Sequence, residues 1–383
     1  MQQSGIMTKA LAVLAVLAGI GSAEAQVKVD PLAGSELAAT PGAHWVWVND
    51  MVFHHMADGK AFLFDGDSGK MLGMLSTGFG FNGVLLPKNK SLIAAPETYF
   101  SRGTRGTRTD VVTLYDPRKL APVGEIQIPA KRVSSLPMVQ NAALTDDDRF
   151  LLIYNFTPAQ SVSVVDLQGR KFLGELDTAG CALVYPTGAR TFFSLCQDGT
   201  ALNVTLDDAG KAAAKSRSAR LFDPQRDPVT EKAVRDGNTW LFASVSGDIV
   251  PIEYSSGQLR TGTRWPLTSA AERKEKWLPG GMQHLALHAA NRRLFSLMHQ
   301  GGPDSHKDPG SEIWVYDIAK RQRTQRIALK GPATSITVTA DSKPLLFSIF
   351  VGAPKLDIFD ASSGALLRSV GEVGFTPSTL VAH

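Results

Sequence analysis

A unit of about 50 residues recurs along the chain, and this repeat restricts the possible folds more than any other sequence feature. Each copy consists of an apolar strand, an acidic or polar turn that contains Gly or Ser, and a second strand. A weaker element, a polar turn followed by a strand, alternates with it, as in Asp146–Ile153 and Asp341–Phe347. The copies of the clearer element are Ala61–Lys70, Val112–Pro117, Val162–Gly169, Leu202–Asp208, Val250–Gly257, Ile313–Asp317 and Leu356–Gly364.

A repeat of this length predicts an all-β protein, a seven-bladed β-propeller of four-stranded antiparallel blades. One four-stranded sheet cannot bury both of its faces, whereas blades packed around an axis share their apolar faces and leave only short edges. Residues 26–383 would form this single domain, with about 51 residues per blade. The longest gap between copies holds an insertion, Trp265–Gly281, in which Ser269 and Glu272 are spaced to cap a short helix. Two β-sandwiches are the alternative.

The N-terminus has the pattern of a secretory signal peptide. Lys9 precedes a short apolar run, Ala10–Ile20, and an Ala-x-Ala site follows at Ala23–Ala25. The run is too short to span a bilayer, which needs about 20 apolar residues, and no later stretch is suited to do so. We expect cleavage after Ala25 and a mature protein, beginning at Gln26, outside the cytoplasm. The alternative is a buried N-terminal helix.

The chain has two cysteines, Cys181 and Cys196, and an oxidising compartment favours their pairing. A turn signal, Pro186–Ala189, lies midway between them. Residues placed symmetrically about a hairpin turn face each other across the strands, which brings their Cβ atoms within disulfide range. We therefore predict a disulfide; a catalytic thiol or a zinc pair is the weaker interpretation, because no histidine is near in sequence.

Charge argues against a nucleic-acid partner. The formal net charge is +4 and Lys and Arg are spread along the chain. The densest basic cluster, Lys320–Arg326, falls in a predicted hairpin, where a solvated turn is a better interpretation than a phosphate-binding patch.

No complete catalytic or metal-binding set is recognisable. His284 and His288 are four residues apart but lack the Glu of a zinc motif, so they are better interpreted as structural histidines. His54 lies near an expected blade end, and His299 and His306 flank a loop of the kind that bears function in propellers. Nucleophile-elbow, Walker and dinucleotide motifs are missing from the sequence. The residues alone indicate an exported propeller that either supports a partner or assembles a site from dispersed loops.

An ordered series of segments spans nearly all of the mature chain. It comprises Val48–Asp50 with Phe53, Asp65–Gly66, Gly69–Met74, Ser101–Asp110, the Cys181 and Cys196 pair, Trp277–Gly281, His306–Lys307 and Glu312–Asp317. With this series the chain resembles the heavy, or large, subunit of the quinoprotein amine dehydrogenases, the family of methylamine and aromatic amine dehydrogenases.

The resemblance implies a periplasmic α2β2 assembly. In this family tryptophan tryptophylquinone is built from two tryptophans of the separate, disulfide-rich small subunit, so the cofactor and the catalytic base are expected there. The implied reaction is oxidative deamination of a primary amine to an aldehyde and ammonia, with electrons passed to an amicyanin- or azurin-like blue copper protein. We expect no catalytic residue, no metal and no bound cofactor on this chain.

The family's large subunit places a phenylalanine at the mouth of the substrate channel. By its position after Val48–Asp50, Phe53 is the candidate in this chain, and His54 takes its place if the loop is shifted by one residue. Ordinary core packing is the alternative role for Phe53. The segments do not separate a methylamine from an aromatic amine substrate.

Two other function classes remain compatible with an exported propeller. One is a self-sufficient hydrolase such as a lactonase, which needs a central metal held by carboxylates from several blades. The other is a non-catalytic binding propeller without a linked redox enzyme.

Overall fold

The computed structural model describes residues 35–383, and the predicted signal peptide at 1–25 lies outside this range. Residues 37–383 form one compact unit that consists almost entirely of β-strands. The first strands are β1 (Trp45–Asp50), β2 (Gly59–Asp65), β3 (Met71–Gly78), β4 (Ile93–Phe100), β5 (Arg108–Tyr115), β6 (Pro122–Ile128), β7 (Ala142–Leu144), β8 (Phe150–Asn155), β9 (Ser161–Asp166), β10 (Lys171–Asp177), β11 (Cys181–Pro186), β12 (Thr191–Cys196), β13 (Ala201–Leu206) and β14 (Ala212–Arg217).

The second half continues in the same way and contains one short helix. Its elements are β15 (Val234–Asp236), β16 (Thr239–Ala243), β17 (Asp248–Ser255), β18 (Gln258–Thr261), β19 (Trp265–Pro266), α1 (Ala270–Lys274), β20 (Trp277–Pro279), β21 (Leu285–His288), β22 (Arg293–Gln300), β23 (Gly310–Asp317), β24 (Gln322–Ala333), β25 (Ser335–Val338), β26 (Leu345–Phe350), β27 (Ala353–Asp360), β28 (Leu366–Gly371) and β29 (Pro377–Ala382).

The strands pair with their sequence neighbours in successive antiparallel sheets. Five sheets contain four strands in the orders β10-β9-β8-β7, β11-β12-β13-β14, β15-β16-β17-β18, β20-β22-β23-β24 and β25-β26-β27-β28. In addition, β19 pairs with β17 and β21 pairs with β22. The prediction of an all-β protein built from four-stranded antiparallel sheets is confirmed.

A seven-stranded sheet, β29-β1-β2-β3-β4-β5-β6, joins the two ends of the chain. Its β3–β4 contact is a single parallel pair, Gly78 with Thr98, so it divides into β29-β1-β2-β3 and β4-β5-β6. Strand β29 pairs with β1 from Val46 opposite Ala382 to Asp50 opposite Pro377. The C-terminal strand thereby completes the sheet that the N-terminal strands begin.

Apolar side chains fill the space between consecutive sheets. Phe150 and Val164 of one sheet form a cluster with Val184 and Phe192 of the next, and all four are fully buried. Burial of such a side chain stabilises the fold by about 1.5–3 kcal/mol relative to exposure. The alternating apolar positions of the repeat are therefore the positions that hold the sheets together.

The acidic turns of the repeat lie at one end of the strands, which we call the turn end (66–70, 117–121, 207–211 and 361–365). The Asp360 carboxylate accepts hydrogen bonds from the backbone N–H groups of Ser362 (3.0 Å) and Ser363 (2.7 Å). Asp207 accepts in the same way from Ala209 (2.9 Å) and from Lys211 (2.8 Å). These carboxylates satisfy backbone donors that the tight turn leaves unpaired, which explains why Asp recurs at these positions.

Two local predictions are confirmed. Cys181 and Cys196 are paired opposite each other on β11 and β12 and form a disulfide. In the predicted insertion, Ser269 caps α1 and forms a reciprocal capping box with Glu272.

Candidate functional site

The loop between β1 and β2 carries both residues that the sequence assigned to a substrate channel. The Phe53 side chain is 65% exposed, so core packing does not account for it within this chain. His54 is also exposed and packs edge-on against the Phe375 ring, with 5.4 Å between centroids. Phe375, which precedes β29, is 64% exposed. The structure therefore groups Phe53 and His54 with an aromatic residue that sequence reasoning missed.

Asp50 holds these two loops together. Its side chain is buried and accepts hydrogen bonds from the N–H groups of Val52 (2.8 Å), Thr376 (3.0 Å) and Phe375. The Thr376 hydroxyl donates to Asp50 (3.1 Å) and accepts from the Phe53 N–H (2.7 Å). A single carboxylate thus fixes both exposed phenylalanines, and its partners lie more than 320 residues apart in sequence.

The backbone of this region is strained. Val52 has a φ of +47° and Met56 a φ of +53°, values that are rare for residues with a side chain and rarest for a β-branched one. In the facing loop Gly374 has a φ of +72°, and a Cβ there would collide with the Asp50 carboxylate. Such strain persists only where surrounding contacts enforce it, and it concentrates at functional sites.

The exposed phenylalanines belong to a continuous surface, the loop face (51–58, 79–83, 131–141, 156–160 and 372–376). The Gly80 N–H donates to the Met56 carbonyl (2.7 Å), and the Phe81 N–H donates to Ser134 (2.7 Å). The Phe156 N–H donates to the Lys131 carbonyl (3.1 Å), which extends the surface to the next sheet. Its exposed apolar side chains are Phe53 (65%), Leu136 (44%), Val139 (41%), Phe156 (53%) and Phe375 (64%). A patch of this kind marks an interaction surface.

A buried arginine lies beneath the loop face. Arg132 is 5% exposed; its Nε donates to the Thr98 hydroxyl (3.0 Å) and its Nη2 donates to the Phe81 carbonyl (3.1 Å). Asp110 accepts from the Arg132 backbone N–H (3.2 Å) and pairs with Arg108 (2.7 Å). Burial lowers the pKa of Arg132 to about 10, so the guanidinium remains charged at neutral pH.

His284 and His288 are structural, as the sequence indicated. Burial lowers the pKa of His284 to about 3, and its Nε2 lies 3.2 Å from the Thr230 hydroxyl. His288, at the far end of β21, faces the Asp341 carbonyl (2.9 Å) instead. His299 contacts the Ser305 hydroxyl (2.8 Å) and closes its own loop. Across residues 35–383, no group of three or more His, Cys, Asp or Glu side chains could hold a metal ion.

Two tryptophans of this chain, Trp277 and Trp314, are in contact. Because the implied cofactor is built from two tryptophans, this pair must be compared with such a site. The rings of Trp277 and Trp314 are 5.2 Å apart, but the two residues are 6% and 0% exposed. Arg326 lies over both rings, at 5.0 Å and 4.7 Å from their centroids. No substrate can reach this pair, so it does not fit a quinone site.

The basic cluster Lys320–Arg326 forms the predicted hairpin between β23 and β24. Only part of it is a solvated turn, because Arg323 lies 4.3 Å from the Trp314 ring centroid and pairs with Glu272 (2.7 Å). Arg326 pairs with Glu312 (2.7 Å). Carboxylates neutralise these two arginines, which leaves little charge for a phosphate.

The sequence of this chain is similar to those of known proteins. The family model of the methylamine dehydrogenase heavy chain matches residues 42–383. The methylamine dehydrogenase heavy chain of Methylophilus methylotrophus is 31% identical over 88% of this chain and 82% of its own length. That of Paracoccus versutus is 31% identical over 90% of this chain and 81% of its own length.

Solved structures are similar in fold. A periplasmic gluconolactonase of Pseudomonas aeruginosa covers 88% of this chain and 98% of its own, with a TM-score of 0.59 and 17% identity. The β-propeller domain of Cps50 (Swd1) from Myceliophteria thermophila covers 88% of this chain and all of its own (100%), with a TM-score of 0.56 and 9% identity. At such identities the likeness concerns the fold alone, and it is propeller-like.

The family match extends over almost all of the described residues, and two relatives exceed 30% identity over most of the chain. This chain belongs to the methylamine dehydrogenase heavy chain family.

Proposed function

We propose that this chain is the large subunit of a periplasmic quinoprotein amine dehydrogenase. The enzyme converts a primary amine and water into an aldehyde and ammonia and releases two electrons and two protons. The electrons pass to a blue copper protein. The observation that carries the proposal is the heavy-chain family match over residues 42–383.

The loop face is the docking surface for the small subunit in this proposal. Exposed aromatic side chains are enriched at protein interfaces, where a few of them supply most of the binding energy. Phe53, Phe156 and Phe375 are each more than half exposed. Exposure of such aromatic surface to water gives no benefit to a protein that has no partner. The heavy-chain relatives support a small partner subunit, and an α2β2 assembly follows the family.

The cofactor, tryptophan tryptophylquinone, belongs to the small subunit and supplies the electron sink for the amine. This chain's contribution is a wall: Phe53, with His54 beside it, narrows the approach to the cofactor by packing against the substrate's alkyl group. Displacing water at such a wall favours substrates that fill it, by about 1–3 kcal/mol per methylene. Asp50 keeps Phe53 in place through Thr376.

A closed ring of seven blades would suit this role. The strands of the seven-stranded sheet fall into two antiparallel groups, and five further sheets follow. The pairing of β29 with β1 is the closure that such a ring requires. We propose that residues 26–383 form this ring and that residues 1–25 direct export. No helix in the described part of the chain is long and apolar enough to cross a membrane.

Purification from the native host tests the proposal. We expect a small second subunit with quinone absorption to co-purify with this chain, and amine-dependent reduction of an artificial electron acceptor. A chain that elutes alone, without quinone absorption and without amine oxidation, would contradict the proposal. Release of a product from a lactone, lost on chelation of metals, would instead support the hydrolase alternative.

The channel role has its own test in the assembled enzyme. Phe53→Ala should change kcat/KM for short and long primary amines unequally, by about tenfold between the two, because it widens the approach. Phe156→Ala is the matched control, a phenylalanine in another loop that is also more than half exposed, and should leave the ratio unchanged. Equal effects of both variants, or no change in the ratio for Phe53→Ala, would contradict the placement of Phe53 in the channel.

A further inference from the structure

A cavity of about 280 Å³ lies beside the loop face, where β29, β7 and the segment 83–86 meet. Its walls are mostly apolar, and Val139, which is 41% exposed, forms part of its rim. An apolar cavity of about 150 Å³ is enough to hold benzene, so this one accommodates a substituted aromatic ring. The apolar lining includes Phe81, Leu85, Leu144, Ile153 and Val381.

Four polar side chains line the cavity, and they differ in what they can offer a ligand: Asn49, Thr379, Asn141 and Arg132. Asn49 is fully engaged, because its amide nitrogen donates to the Thr379 hydroxyl (3.1 Å) and its oxygen accepts from the Val84 N–H (3.3 Å). Asn141 is 7% exposed; its amide nitrogen donates to the Leu136 carbonyl (2.6 Å). The Asn141 Oδ1 accepts from no group among residues 35–383. A buried acceptor without a donor is costly, and a ligand hydroxyl or N–H would satisfy it.

The remaining polar group, Arg132, decides the charge of the ligand. Its guanidinium is buried in the cavity wall, and the negative charges of Asp110 and Glu97 act on it from nearby. Its hydrogen bonds go to the Thr98 hydroxyl and to the carbonyl oxygens of Phe81 and Val133, not to a carboxylate. A cationic ligand in the cavity would meet this charge at low dielectric and lose its own hydration, both of which are unfavourable. Ammonium compounds, including protonated primary amines, are therefore poor ligands here.

We propose that this cavity is a binding site for a small neutral molecule with an apolar, ring-sized body and one hydroxyl or N–H donor. The donor would meet Asn141 Oδ1, and the body would fill the space between Leu85 and Val381. The inference rests on the cavity alone and does not depend on the proposed function.

The experiment uses the full chain as purified from its host and fluorine NMR with two probes. 4-Fluorophenol has the required donor and 4-fluorotoluene lacks it. We expect saturable binding of the phenol, and binding of the toluene weaker by about fivefold or more, which is the loss of one hydrogen bond. Asn141→Leu should weaken phenol binding by a similar factor and leave the toluene unaffected.

Gly83→Leu tests the location. A Cβ at Gly83 would contact the Phe81 ring at 3.4 Å and the Asn49 amide at 3.9 Å, both ordinary distances, so a larger side chain can occupy the cavity without backbone strain. Binding of both probes should disappear in this variant, and Ala142→Leu from β7, whose side chain shares the face of Leu85 and Ile153, provides a second filling variant if Gly83→Leu fails to fold. No saturable binding to the natural chain, or binding that survives both filling variants, would overturn the site. Equal affinity for the two probes would overturn the role of Asn141.

Discussion

The turn end and the loop face are the two ends of the same strands, and they are built in different ways. At the turn end, short acidic turns recur along the chain, and ion pairs such as Asp146 with Arg235 (2.5 Å) connect different sheets. At the loop face, longer loops of unrelated sequence expose Phe53 and Phe375 and cover the buried Arg132. The repeat therefore encodes the scaffold at one end and leaves the other end free to acquire a function.

The two ends should differ most in the free energy of unfolding that is lost when one buried or turn carboxylate at each end is replaced. Asp50→Ala removes an acceptor of four hydrogen bonds and leaves buried N–H groups unsatisfied, so we expect a loss of about 4 kcal/mol in the free energy of unfolding. Asp360→Ala, at a turn, should cost about 1 kcal/mol, as for other caps. Urea unfolding of both variants measures the difference. Equal losses would mean that Asp50 is another turn cap.

The disulfide is the next largest effect, and it lies on the loop-face side of its sheet, at the start of β11 and the end of β12. It closes a loop with a sequence separation of 15 residues, for which loop entropy gives about 3 kcal/mol. The double variant Cys181→Ala/Cys196→Ala should show this loss on unfolding. A reducing agent should cause the same loss of stability in the natural chain and have no effect on the variant. An effect on both would show that the reducing agent does not act through the disulfide.

Acid should affect the buried His284 and the turn end in different pH ranges. Burial lowers the pKa of His284 to about 3, with Lys232 adding to the effect, so the folded state excludes a proton that the unfolded state binds below pH 6.5. His284 alone should therefore contribute about 1.4 kcal/mol per pH unit to the fall in stability between about pH 6 and pH 4. His284→Gln should flatten this slope in unfolding measured at several pH values. An unchanged slope would show that other groups cause the loss.

The Asp146–Arg235 pair at the turn end should respond at lower pH. The hydrogen bond from Arg235 lowers the pKa of Asp146, so the stabilisation is present above the unfolded value of 3.8 and is lost as the pH falls below it. At neutral pH the pair is partly exposed, and Arg235→Ala should cost about 1 kcal/mol or less. Urea unfolding at pH 7 and pH 3 measures both. A larger loss at pH 7 would make this pair more than a surface contact.

The sequence predicted the features that depend on neighbouring residues better than it predicted the loop face, for a physical reason. Strand periodicity, the Asp turns, the capping box at Ser269 and the disulfide depend on residues close in sequence, and all are confirmed. The contact of Asp50 with Thr376 and Phe375 spans more than 320 residues, and no local pattern reports it.

Phe53 and His54 were found through a family resemblance, whereas their partner Phe375 had no signal that a single sequence could provide. The burial of Arg132 was equally hidden, because an isolated arginine is exposed in most proteins. The burial of Arg132 depends on the segments around Phe81, Thr98 and Asp110, which come together only in the folded sheets.

Affinity for the small subunit tests most directly whether the loop face is the docking surface. Phe53→Ser/Phe375→Ser removes two exposed aromatic residues from it, and Met71→Ser/Leu367→Ser removes two apolar residues of similar exposure (57% and 50%) from outer strands. We expect the first variant to bind about 100-fold more weakly, as for the loss of interface anchors, and the second to bind within about twofold of the natural chain. Equal affinity of the two variants, or a larger loss in the second, would contradict a docking role for the loop face.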